Sequence, residues 1–219
     1  MRVLPILFNT EMVRAILDGR KTCTRQICKD ANEYTVPDMD FYNADKRTYA
    51  VHNFIDREHT EQLSTAERTC SICPGDILYV RETWCALPVN EVGHMRGHSI
   101  YYYRADGDLR PEGWRGKWRP STQMPKEAAR IWLKVTDVSV ERLNDITDKG
   151  AEREGAQPDY PFDYDVDKWP NLEHFKKIWN STIKKSDIDR YGWDANPWVW
   201  VIEFGLCDKP SEPYQQNGE

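Results

Sequence analysis

No apolar run in this sequence approaches the roughly 20 residues that a membrane-spanning helix needs, so no membrane partner is expected. Positive charge is not in excess either. The net charge of −6 argues against a long nucleic-acid footprint unless basic residues are locally concentrated. "MRVLPILFNT" is too short for a secretory signal and Glu11 follows at once, so no leader is expected. The six cysteines (Cys23, Cys28, Cys70, Cys73, Cys85, Cys207) follow no small-secreted-domain pattern, which points to a reducing, cytoplasmic setting. There is no internal repeat and no strong domain boundary.

What is present is 219 residues, 39% hydrophobic and 30% charged, with a 12% aromatic share that includes nine tryptophans. Such aromatic content favours a β-rich core or a stacking surface over a helical bundle. "VLPILF" reads as a short strand. Val13, Ile16 and Leu17 then form one helical stripe, with Thr10 as its cap and Gly19 as its left-handed exit. "PGDILYVRETW" is a turn and a strand. In "ARIWLKVTDVSVERL" the apolar parity slips near Thr136 and Asp137, which predicts a bulge or bend. Thr147 caps a short helix closed by Glu154 and Gly155. Leu172, Phe175, Ile178, Trp179 and Ile183 mark an amphipathic helix, and "PWVWVIEF" a buried strand. The fold class expected is α+β, a small β-barrel with a few short helices and long inserted loops. One domain over residues 1–206 is expected, with polar, irregular insertions at about 29–69 and 86–125 and a frayed tail at 207–219.

The segment "LDGRKTCTRQ" places Lys21, Thr22, Thr24 and Arg25 directly after a helix-ending glycine, on backbone expected to be exposed. A solvated turn is one reading. A loop carrying catalytic groups on a rigid support is the other.

Four segments, "ILFNTEMVRAILDGRKTCTRQ", "PGDILYVRETW", "LNDITDKGAEREGA" and "FKKIWNST…NPWVWVIEF", occur in the order typical of ASCH-domain proteins, and the chain resembles that family. It is similar above all to the longer, phage-associated members, which carry a segment like "KWRPSTQMPKEAARIWLKV". The resemblance implies a PUA-like β-barrel in a bacteriophage or bacterial setting. It also implies one of two activities: removal of the acyl group from N4-acetylcytidine, as in small bacterial amidohydrolases, or recognition of RNA or a modified nucleotide. Residue by residue, it makes Lys21, Thr24 and Glu154 the catalytic set. Arg25, Glu82 and Thr22 are the candidate substrate-binding residues, and no metal or cofactor is expected. The chain is about twice the size of those amidohydrolases, and its two insertions bear on access to the pocket.

Amide hydrolysis through an acyl-enzyme needs a nucleophile, a base and an acid for the departing amine. Thr24 would be the nucleophile, a neutral Lys21 its base, and a protonated Glu154 at a helix end the acid. Residues three apart on a regular strand face opposite ways, so Lys21 and Thr24 converge only if the chain turns between them. As pocket-facing polar groups, all three are expected to contribute little to the core.

Three weaker signals stay open. Cys70, Cys73, Cys85, His94 and His98 are either zinc ligands or unrelated residues with buried thiols. Arg110–Arg130 holds six basic residues against two acids, interleaved with Trp114 and Trp118; it either contacts a few bases and phosphates or packs a long loop. Arg81 and Glu82 are a bracing ion pair or pocket lining. Partners consistent with all of this are a small nucleoside or a short RNA. A non-catalytic binding module and a phage accessory interaction protein remain alternatives, and the oligomeric state is open.

Overall fold

The computed structural model describes residues 1–29, 31, 35–88, 99–114, 116–157 and 170–210. The chain divides into two compact units, one of residues 1–10, 76–134 and 205–219, the other of residues 11–75 and 135–204. The architecture is α+β, mostly strands in mixed sheets with a few short helices, and no closed barrel forms among the described residues.

In the first unit β1 (Val3–Leu7) runs parallel to β6 (Ile77–Arg81). Strand β6 pairs antiparallel with the start of β9 (Trp132–Arg142), matching Ile77 to Lys134 and Tyr79 to Trp132. Strands β7 (Trp84–Pro88) and β8 (Ser99–Tyr103) form an antiparallel pair. Ile77, Trp84, Met124, Ala128 and Trp132 make this unit's core. Aromatic and β-branched residues dominate these strands because a pleated, half-buried surface suits them.

The second unit holds the chemistry-bearing segment. Helix α1 (Thr10–Leu17) buries Val13, Ala15 and Ile16. Gly19 takes φ +73°, and the N–H groups of Arg20 and Lys21 both donate to the Ala15 carbonyl, at 2.8 and 2.9 Å. That turn drives the chain inward. Strand β2 (Cys23–Ile27) then pairs antiparallel with β10 (Trp198–Cys207), Thr24 opposite Ile202 and Arg25 opposite Val201. Lys21, Cys23 and Thr24 of the segment expected on exposed backbone are therefore buried, because helix exit and strand pairing together turn it inward.

Strand order on this side is β9-β10-β2, leaving β2 at the edge. The parity slip in β9 is present: Val135 and Val138 are buried while Thr136 and Asp137 between them are exposed. Thr147 caps α2 (Asp148–Arg153), its Oγ1 accepting from the Gly150 N–H at 3.0 Å. Helix α3 (Pro170–Thr182) buries Phe175 and Trp179 against Leu143, Ile146 and Ala151.

Residues 35–69 differ from the irregular insertion expected. They form an antiparallel meander of β3 (Thr35–Asn43), β4 (Thr48–Phe54) and β5 (Gln62–Thr69), with register shifts between Asp38 and Asn43 and between Asn53 and Phe54. Tyr49 and Val51 of β4 are buried, and Tyr49 meets the Trp200 ring edge-on at 4.9 Å.

Gly155, with φ +84°, is where α2 ends against the α1–β2 turn. A Cβ there would lie 2.7 Å from the Ala15 Cβ and 3.2 Å from the Lys21 Cβ, atoms fixed by their own backbones. Gly155→Ala is expected to lower stability by about 2–4 kcal/mol, from the left-handed conformation and the overlap together. Urea unfolding measures this, and a midpoint equal to wild type would contradict it.

Candidate functional site

Glu154 is the C-cap of α2, and its side chain turns inward, 6% exposed. Lys21, 2% exposed, reaches it from the turn before β2. The Lys21 Nζ donates to Glu154 Oε2 at 2.6 Å, to the Glu154 carbonyl at 2.8 Å and to the Cys23 carbonyl at 2.9 Å. An ammonium has three protons, so these acceptors match its donor capacity. Two groups 133 positions apart in sequence thus stand as a buried ion pair.

Arg25 completes the cluster. Its NH1 donates to Glu154 Oε1 at 3.2 Å, while Nε and NH2 hold Glu141 Oε1 at 2.8 and 2.6 Å. Burial works against the Arg25 charge, but the carboxylates of Glu154 and Glu141 outweigh it and hold the guanidinium above its ordinary value. Lys21 and Arg25 thus share the Glu154 carboxylate, the lysine on Oε2 and the arginine on Oε1.

Strand alternation sends Cys23 and Arg25 to one face of β2 and Thr24 to the other. Against the first face lies an open cavity of about 370 Å³, whose lining includes Cys23, Arg25, Glu141, Arg153 and Glu203. Thr24 is 7% exposed and does not line it. The structure therefore brings Lys21, Glu154 and Arg25 together, with Thr24 one residue beyond the Cys23 carbonyl that Lys21 holds. Thr22 braces the site rather than opening into the cavity: its Oγ1 accepts from Arg153 Nε at 3.3 Å, and its backbone bonds Arg153 and Phe204. Arg153 also pairs with Glu203 at 2.8 Å.

Glu82 lies in the other unit, 1% exposed, where Arg130 grips it with Nε at 2.9 Å and NH2 at 3.1 Å. Burial pushes its carboxyl above the usual range, and the Arg130 fork opposes that rise. Arg130 bridges on to Asp106 and stacks over Tyr103, so Glu82 serves as a brace of its own unit. Arg81 donates to the Thr122 carbonyl.

Sequence reasoning missed Glu141, Glu203 and the role of Cys23. The two acids lie on strands with no local pattern to single them out. Burial pushes the Cys23 thiol up to about 11, and the nearby Glu154 carboxylate adds to the rise, so Cys23 is a protonated thiol near neutrality. The folded state keeps a proton that an unfolded chain, at the ordinary 9.0, has lost. Stability from this source is full below about pH 9 and is lost as the pH climbs through 11, a share on the order of 2–3 kcal/mol. Denaturant unfolding at pH 8 and at pH 10.5 should show a smaller alkaline loss in Cys23→Ala than in wild type. Equal losses would place the thiol in water.

Among the weaker signals, Cys70 and Cys73 donate their thiols to the carbonyls of Ile72 and Cys70, and burial pushes Cys70 well above its ordinary value. Cys85 belongs to the other unit, and His94 and His98 lie outside the described residues. Among the described residues no cluster of three or more His, Cys, Asp or Glu is arranged to hold a metal ion. In the basic loop, Arg110 stacks over Trp118 at 4.7 Å and Trp114 at 5.8 Å while Asp108 holds its guanidinium, so these aromatics and arginines pack on one another. No helix among the described residues is long and apolar enough to cross a membrane.

No family model, curated protein or solved structure matches the chain.

Proposed function

We propose that this chain is a PUA-like amidohydrolase that removes the acyl group from an N4-acylated cytosine nucleoside. The observation that carries the reading is the contact between Lys21 and Glu154, the two groups that the motif resemblance pairs as base and acid, at 2.6 Å. Their ion-paired resting state is one proton away from the forms the chemistry needs. Transfer from Nζ to Oε2 yields a neutral amine and a carboxylic acid.

Thr24 Oγ then attacks the acyl carbon as its proton passes to Lys21. The C–N4 bond breaks while Glu154 returns its proton to N4, releasing the cytidine. Water cleaves the acyl-threonine, giving one proton to Glu154 while Lys21 supplies one to Thr24 Oγ. Exchange within the pair restores the resting state. The scheme requires Thr24 Oγ to meet Lys21 in the complex, where catalytic hydrogen bonds tighten.

Purified protein incubated with N4-acetylcytidine and followed by chromatography should release cytidine and acetate. Binding without release would overturn the hydrolase in favour of a modified-nucleoside binding module. Neither binding nor release would remove both readings.

A further inference from the structure

We propose that Arg25 and Glu141 are positioning residues that aim the Glu154 carboxylate at Lys21, rather than groups that hold substrate; the inference rests on the hydrolase reading above. Glu154 has two oxygens, and the structure divides them. Oε2 meets Lys21 at 2.6 Å and Oε1 meets Arg25 NH1 at 3.2 Å. The Arg25 side chain is only 6% exposed, and its other edge is fastened by Glu141 Oε1 at 2.6 and 2.8 Å. Glu141 itself is 29% exposed and faces the cavity.

A carboxylate turns easily about its last bond, so one hydrogen bond to Lys21 leaves its plane undetermined. The planar guanidinium fork supplies the second constraint, and Glu141 stops that fork from rotating away. The result is a carboxylate–guanidinium–carboxylate chain running from β9 through β2 to the end of α2. A lysine at position 25 has a single charged point and no fork, so it cannot hold both carboxylates at these distances. With its donors already bound to two carboxylates, Arg25 has little capacity left for a ligand. This replaces the substrate-binding role expected for Arg25 from the sequence.

The test compares Glu141→Gln, Arg25→Lys and wild type in steady-state kinetics on N4-acetylcytidine. A second readout needs no turnover: the side-chain ¹H–¹⁵N signal of the Lys21 ammonium, assigned by its loss in Lys21→Arg. Positioning predicts that kcat falls on the order of 10–100-fold in both variants with KM nearly unchanged, because a displaced acid lowers the rate without removing a substrate contact. The Lys21 signal should shift or broaden in both. A raised KM at unchanged kcat would overturn the proposal and return Arg25 to substrate binding. If wild type turns over no N4-acetylcytidine, the hydrolase reading fails and the ammonium signal decides the geometry. An unmoved signal in both variants means that the chain from Glu141 to Glu154 positions nothing.

Discussion

Thr24→Ala protein should bind N4-acetylcytidine and fail to hydrolyse it, with kcat lower by roughly 10⁴-fold or more. The hydroxyl is the only protein atom in the scheme that bonds to the acyl carbon, and alanine keeps the strand pairing to Ile202. Lys21→Ala should lose turnover to a similar degree, because among the described residues no other amine is bonded to Glu154 Oε2. The double variant should be scarcely worse than either single one, since members of one catalytic unit are far from additive. Cys23→Ala is the control that separates the two faces of β2. Cys23 lines the cavity, but its thiol is protonated near neutrality, so this variant should keep wild-type turnover. Loss of activity in Cys23→Ala with retention in Thr24→Ala would exchange the nucleophile and refute the scheme.

Lys21→Met should be the most destabilising single change in the cluster, by about 3–5 kcal/mol in urea unfolding. The methionine matches the stem of the lysine but donates nothing. The Cys23 and Glu154 carbonyls and Glu154 Oε2 then lose their shared donor in a buried site. Arg25 remains on Glu154, which keeps the loss toward the lower end. Adding Glu154→Gln removes the abandoned charge, so the double variant should be less destabilised than the sum of the two singles. This departs from the expectation that pocket-facing polar groups carry little of the stability. Lys21 is as buried as the apolar residues around it, and a buried charge whose partner is removed costs more than a lost methyl group. A Lys21→Met midpoint within experimental error of wild type would mean that the pair is solvated.

Helices α1, α2 and α3 were legible because each carries its own punctuation. Thr147 and Gly155 bracket α2, Gly19 ends α1, and the stripe from Leu172 to Trp179 marks α3. The parity slip in β9 was also readable from its valines alone. The meander of β3 to β5 was not, since β5 exposes all but one of its residues and so shows no alternation of buried and exposed positions. Register there comes from cross-strand partners such as His52 opposite Thr65, which a single strand cannot announce. Lys21 and Glu154 are marked in the sequence by a motif resemblance, not by local pattern. Charge does not announce that the segment after Gly19 turns inward, because two backbone bonds to Ala15 decide its direction. Glu141 escaped notice for a related reason: an acid on a strand gains meaning only from the arginine that another strand brings to it.

The 133-residue separation between Lys21 and Glu154 has a consequence for synthesis. The meander closes on neighbours in sequence and can zip as soon as residue 69 has emerged. The lysine has no acid to meet until the chain has grown through Glu154, and β2 has no partner until β10 follows it. Closing so long a loop is entropically costly and is repaid only at the end. On the ribosome the two groups therefore remain apart and solvated while most of the polypeptide already exists. Loss of the Lys21 bond should accordingly hasten unfolding far more than it slows folding.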